Sequence, residues 1–266
     1  MPKKNFLRPV WKGGISFGLI YIPVKLYSAV TTVSLDLDML DSRDSSPIKF
    51  SRVNEKTGKE VDWKDITKGY KYKNDEYVVL DEADFDKVAQ SRSKTIEIVD
   101  FVDVDEIDSK YFEKPYYLEP DEPAKKTYAL LRESLKQENK VGLAEFVLRN
   151  REHLVILKPE DDVLILNQLR YADEIKPSNQ LNLPDEKIKI QKNELEMAKI
   201  LIDKMTDKFK PDKFHDDYLD ELKKIIEAKA KKRTINIKKA EEPKVTEIDD
   251  LMDMLRKSLN QVEASK

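Results

Sequence analysis

Cysteine and histidine, the side chains most often used for covalent and acid–base chemistry near neutral pH, are almost missing from these 266 residues. There is no cysteine, which removes thiolate nucleophiles, disulfides and thiolate zinc sites together and suits a reducing cytoplasm. The histidines are His153 and His215. His153 stands beside Glu152 at the start of an apolar run with no nucleophile close in sequence, so packing or capping is its expected role. Two distant histidines without cysteines do not make a zinc site. Gly13, Gly14 and Gly18 do not fit G-x-G-x-x-G, and no P-loop lysine comes after them. Residues 74–122 hold sixteen acids against five bases; such a block could bind Mg²⁺, but a solvated acidic surface is its commonest meaning.

What the chain does offer is segregated charge. The net charge is only −3, yet residues 1–30 hold five bases and no acid, residues 49–73 eight bases against four acids, and residues 220–240 eight bases against three. A protein that is acidic overall can still turn a basic surface to a polyanion. Hydrophobic residues make up 39% and charged residues 38% of the chain, so a core is possible but much of the chain must be surface, arm or tail. The N-terminus lacks an apolar stretch with a cleavage site, and no run approaches the ~20 apolar residues of a membrane span, so a soluble protein is expected.

The elements that must carry this charge are strands first. Three apolar runs, Val141 to Leu148, His153 to Leu157 and Val163 to Leu169, are separated by short polar breaks and predict an antiparallel meander. Such a meander needs its edges paired and a second apolar face, hence a sandwich or barrel. Residues 11–27, WKGGISFGLIYIPVKLY, predict a strand buried on both faces, with Ile15, Phe17, Leu19 and Tyr21 on one side. Its glycines imply bulges or close backbone approach, and Pro23 implies an edge or bend. Between Asp36 and Lys110 come short strands and turns, with turn signals at Asn54 to Gly58 and Asn74-Asp75 and a short helix capped by Asp81 and Asp84. Ala124, Tyr128, Leu131 and Leu135 predict a helix that packs on the β core after Pro123. Asn193 with Glu196 predicts the start of a second helix, and Tyr218, Leu222, Ile225 and Ile226 a third. Residues 229–244 read as a linker. Beyond them Thr246 and Asp249 signal an N-cap, and Ile248, Leu251, Met252, Leu255, Leu259 and Val262 form one apolar stripe, too short a helix to persist without a surface to bind.

The opening WKGGISFGLIYIPVKLYSA resembles the signature of bacterial Ku proteins, homodimeric DNA-end-binding factors of non-homologous end joining. IKFSRVNEKTGKEV at Ile48 to Val61, KGYKY at Lys68 to Tyr72, YVVL at Tyr77 to Leu80 and KPYYLEP at Lys114 to Pro120 come next in family order. YALLRESL at Tyr128 to Leu135, FVLRNREHL at Phe146 to Leu154 and LRYADEI at Leu169 to Ile175 complete a match that covers the core and most of the chain after it.

The resemblance implies a mainly β fold with α: a Ku-type β-barrel core over 1–180, interrupted by a DNA-encircling bridge at about 36–110. A helical dimerisation arm comes next over 181–234, then a linker and a short partner-binding helix over 235–266. No catalytic residue, metal or cofactor is expected, because the chain offers no nucleophile with its base, metal cluster or nucleotide loop. Encircled duplex DNA would be met by Lys12, Lys25, Lys49, Arg52, Lys56, Lys59, Lys64, Lys68, Lys71 and Lys73, touching phosphates and not base edges. Leu251, Leu255 and Leu259 would recruit an ATP-dependent DNA ligase, ligase D. The setting would be cytoplasmic and nucleoid-associated. The chain departs from the family pattern at Leu40-Asp41, where Leu-His is common, at Ser51-Arg52, where paired bases are usual, and in lacking a lysine-rich extension. The rival expectations are a Mg²⁺-dependent nuclease and a protein scaffold without DNA contact.

Overall fold

The structure is a computed structural model and describes residues 7–73, 76–90, 94–149, 151–185, 188–233 and 251–264, the side chains of 86, 89 and 90 excepted. It divides into two units, residues 1–177 and 178–266. In the first, β1 (Trp11–Phe17) and β2 (Ile20–Ser28) form a hairpin. The single strand expected over residues 11–27 is therefore two strands. Gly18, with φ 58°, is the first residue of a two-residue loop, a conformation open to glycine and costly to other residues. The loop resets the alternation, so that Ile15 and Ile22 face each other and both point into the core. Gly13 and Gly14 meet the expectation of close approach: a Cβ on Gly13 would lie 2.3 Å from the Lys94 carbonyl oxygen, and one on Gly14 2.3 Å from the Tyr21 ring. Pro23 falls where β2 has β1 alone as neighbour, so its missing N–H breaks no second ladder.

Five further strands complete the barrel: β5 (Thr95–Val102), β6 (Phe112–Pro120), β7 (Val141–Leu148), β8 (Arg151–Glu160) and β9 (Val163–Leu169). The closed order is β1-β2-β6-β9-β8-β7-β5, antiparallel throughout except for the β1–β5 seam. Closure removes the sheet edges that an open meander would leave. β8 is buried on both faces: Val155 and Leu157 point into the barrel, while Ile156 joins Val141 and Leu169 in an outer cluster covered by Val104, Ile107 and Tyr111. Each such fully buried aliphatic side chain contributes about 1.5–3 kcal/mol over exposure.

Between β6 and β7 runs α2 (Lys125–Gln137), which buries Tyr128, Leu131 and Leu135 in the barrel core. Its end is fixed by Asn139, in a left-handed conformation with φ 52°, while the Lys140 N–H donates to the Leu135 carbonyl at 3.0 Å.

β2 runs antiparallel to β1, and β5 parallel to it, so the chain leaves β2 at the end of the barrel where β5 begins, and the connection between them carries the excursion. It runs over residues 29–94, not 36–110 as expected, because residues 95–102 are the barrel strand β5. It contains the two-stranded ribbon β3 (Lys68–Lys71) and β4 (Tyr77–Leu80) and the helix α1 (Glu82–Gln90). Asp81 and Asp84 cap α1 reciprocally, each carboxylate accepting from the other's backbone N–H.

The second unit holds α3 (Lys192–Met205), α4 (Asp217–Ala230) and α5 (Leu251–Ala264). The cap of α3 lies two residues earlier than expected: the Gln191 N–H donates to Glu194 Oε2 at 2.8 Å. α5 packs against α3. Among the described residues of this unit only Ala228 is buried. The expected linker lies largely outside the described residues, as do the cap signals at Thr246 and Asp249 and the turn at Asn74-Asp75.

Candidate nucleic-acid interface

The excursion is built from side-chain-held turns with almost no buried residue. In the first turn a bridge pairs Leu40 with Pro47, and Asp41 grips Arg43 with both carboxylate oxygens, Nε to Oδ1 at 3.0 Å and Nη2 to Oδ2 at 2.5 Å. The Arg43 guanidinium accordingly holds the Asp41 carboxyl below the usual aspartate range. In the second turn Val53 pairs with Glu60 while Asn54 Oδ1 accepts from the N–H groups of Lys56 and Thr57 at 3.0 and 3.1 Å. Gly58 closes it at φ 65°. This is the turn expected from Asn54 to Gly58.

On this frame all of Lys49, Arg52, Lys56, Lys59, Lys64, Lys68, Lys71 and Lys73 are solvent-exposed. Among the described residues Lys49, Lys56 and Lys59 make no ion pair, and Lys56 and Lys59 flank the tip of the second turn. Arg52 is positioned by stacking: its guanidinium lies 4.4 Å from the Trp63 ring centroid, and its carbonyl accepts from the Val61 N–H at 2.8 Å. Lys64 has a loose partner in Asp62 at 3.8 Å. The Lys68 ammonium sits 4.7 Å from the Phe85 centroid, and that of Lys73 5.8 Å from Tyr72. Alternation along β3 sets Lys68 and Lys71 on opposite faces of the ribbon. The expected lining is thus brought into one excursion but not onto one face.

Lys12 and Lys25 are placed elsewhere, directly opposite each other across β1 and β2 on the outside of the barrel. Lys25 is spoken for by Asp121 at 2.9 Å, and that hydrogen bond and charge raise its pKa. A phosphate would have to displace Asp121 to reach it, whereas Lys12 makes no ion pair among the described residues.

Sequence reading missed Trp63 and Phe85, the aromatic rings that hold Arg52 and Lys68. The signal for Trp63 was present in the Asn54–Gly58 turn, which folds the chain back so that Arg52 meets the segment after Val61; nothing in the spacing announced Phe85. The excursion also exposes Phe50 at 78% and Trp63 at 71%.

His153 has the packing role expected of it. Its ring is 5.9 Å from Phe146, and its Nδ1 lies 2.9 Å from Gln168 Nε2, which also donates to Glu113 at 3.1 Å. Among the described residues no three acidic or histidine side chains gather as metal ligands, including the acidic block. No described helix is long and apolar enough to cross a membrane.

Leu251, Leu255 and Leu259 lie on α5 and are half-buried. α5 packs on α3, and Lys204 of α3 pairs with Glu263 of α5.

Residues 16–197 match the family model of the Ku70/Ku80 beta-barrel domain. The non-homologous end joining protein Ku of Coxiella burnetii is 40% identical over 97% of this chain and 96% of its own length. That of Pseudomonas aeruginosa is 42% identical over 95% and 88%, and that of Archaeoglobus fulgidus 38% identical over 96% and 100%. Among solved structures, the SPOC domain of human PHD-finger protein 3 aligns with a TM-score of 0.30 at 11% identity over 61% of this chain and 95% of its own. With a closed seven-strand barrel, an excursion in its β2–β5 connection and relatives that match it nearly end to end, the chain belongs to the Ku family.

Proposed function

We propose that this chain acts as a homodimer that encircles double-stranded DNA ends without sequence preference, protects them in non-homologous end joining, and holds an ATP-dependent DNA ligase there. The observation that carries the reading is the excursion itself. It leaves a closed barrel, has little core of its own and presents eight exposed bases between residues 49 and 73. Exposed Lys and Arg without a base-reading element bind phosphates, which suits a protein that must accept any end. The names of the relatives, non-homologous end joining proteins, support the repair part of this reading. The molecule is a binding scaffold, not an enzyme. Its dimer partner is assigned to the second unit, whose apolar side chains lack a core of their own, and its ligase contact to Leu251, Leu255 and Leu259 on α5.

Topology gives the test. A closed ring loads only where the duplex ends, while an open basic groove docks anywhere along it, because both gain from the same counterion release. Linear duplex should compete for the protein far better than covalently closed circular duplex of equal length and sequence. Circles that compete equally would overturn encirclement while leaving a basic DNA-binding protein. No binding to either form, at low or moderate salt, would leave the scaffold without DNA contact.

A further inference from the structure

The ligase contact proposed above and the packing of α5 on α3 make claims on the same side chains. Leu251, Leu255, Leu259 and Val262 form one stripe along α5, and all four are half-buried, on a helix packed against α3. One face of a 14-residue helix cannot hold two partners at once. The contact on α3 is also thin. No residue of α3 or α5 is buried, the helices leave an open groove of about 650 Å³ lined by Leu201, Met205, Ser258 and Val262, and an ion pair between the two helices, Lys204 with Glu263, is solvent-exposed. Exposed pairs are weak and screened by salt. A helix so short does not persist in water on its own, so the α3 face shelters α5 without gripping it.

We propose that this face of α3 is a docking surface whose occupant is α5 of the same chain, and that α5 must leave it to bind the ligase. The docked state is a latch. It keeps the apolar stripe covered until a partner with a better groove competes for it, and it lowers the apparent ligase affinity by the fraction of chains in which α5 is free. This rests on the assignment of α5 to the ligase.

The absence of native cysteine makes the test direct. In the full chain Leu201→Cys and Ser258→Cys place the only two thiols on the two walls of the groove, to be joined by a short bismaleimide. The readouts are retention of linear DNA and stimulation of the cognate ATP-dependent ligase on that DNA, for linked and unlinked protein. The latch requires that the linker close within one chain, that linked protein bind DNA as the unlinked does, and that it lose ligase stimulation. Glu263→Lys, which sets like charges at the contact, should raise ligase affinity by up to about tenfold if the docked state is favoured about 10:1, and adding Lys204→Glu should restore the original affinity. Full ligase stimulation by the linked protein, or failure of the thiols to be joined, overturns the latch. A chain ending at Lys239 separates the two assignments: if it loses stimulation while the linked protein keeps it, only the latch fails, and if it stimulates normally, the ligase assignment fails and the latch with it.

Discussion

Tyr128 ties α2 to the barrel through one oxygen. Its hydroxyl donates to the Leu118 carbonyl at 2.7 Å and accepts from the Leu164 N–H at 2.6 Å, bonding to both strands at a point where β6 and β9 face each other. Burial pushes its pKa up, so the proton it donates stays in place. Tyr128→Phe keeps the ring but orphans a buried donor and acceptor, and should cost about 1–3 kcal/mol, seen as a lower urea midpoint at unchanged slope. An unchanged midpoint would mean that the strands re-pair without it. The helical spacing of Tyr128 was legible in the sequence; the bonds of its hydroxyl were not, because they reach strands that local pattern cannot bring near. His153 makes a second case. Gln168 Nε2 spends its two hydrogens on Glu113 and on His153 Nδ1, which requires a neutral ring accepting there. Burial first, and then the charge of Arg151, lowers the His153 pKa from 6.5. The unfolded chain therefore takes up the proton first as pH falls, so the ring's contribution to stability is complete above pH 6.5 and declines below it, toward the depressed folded value. In His153→Gln the loss of stability just below pH 6.5 should be shallower than in the parent; identical curves would assign that proton to another group.

At the scale of elements, the excursion distributes its bases unequally. Lys49 makes no ion pair among the described residues, Arg52 is stacked on Trp63, Lys68 rests over Phe85, and Lys71 lies on the other face of the ribbon from Lys68. If all four meet phosphates, replacing them together by Gln should reduce the log–log salt slope of DNA binding by roughly 0.9 for each phosphate no longer neutralised. A reduction that accounts for only three phosphates would fit contact by one face alone of the ribbon, and a smaller one would remove Lys49 or Arg52 from the contact as well. Trp63→Ala separates position from charge: it keeps every base but frees Arg52, so affinity should fall with the salt slope nearly preserved. Equal slope and equal affinity would make the stacking incidental. The elements themselves were partly readable. The meander from Val141 to Leu169 was legible because β-branched runs and short polar breaks fix both strand type and register. The hairpin at Gly18 was not, because residues 11–27 alternate smoothly through the turn, and only the positive φ of Gly18, a property of the folded chain, breaks them into two strands. The position of β5 was hidden for a related reason: its exposed acids, Glu97 and Asp100, made it look like part of the acidic excursion, although Ile96 and Ile98 are buried in the barrel.

For the whole molecule, the two units differ in what they can do alone. Residues 1–177 contain a closed barrel and a helix buried in its core. Residues 178–266 contain helices with Ala228 as their one buried described residue, and they expose Phe209 at 82%, Phe214 at 71% and Tyr218 at 74%. Phe209 and Phe214 stack on each other at 6.2 Å, and among the described residues nothing buries them. Apolar surface on this scale is unusual for a solitary chain, and in the dimer reading a second barrel covers it. A chain ending at Pro177 should therefore keep cooperative unfolding and the near-ultraviolet circular dichroism of its packed aromatics, because every residue of the barrel core precedes that point. By light scattering it should be a monomer or an aggregate, whereas the dimer reading expects two chains together at full length. Its hold on linear DNA should weaken well beyond the loss of the bases it lacks, since a lone excursion offers a basic face but no closed path around the duplex. If the shortened chain remains a well-behaved dimer, the clasp lies in the first unit, and the exposed Phe50 and Trp63 of the excursion become the surface to substitute next.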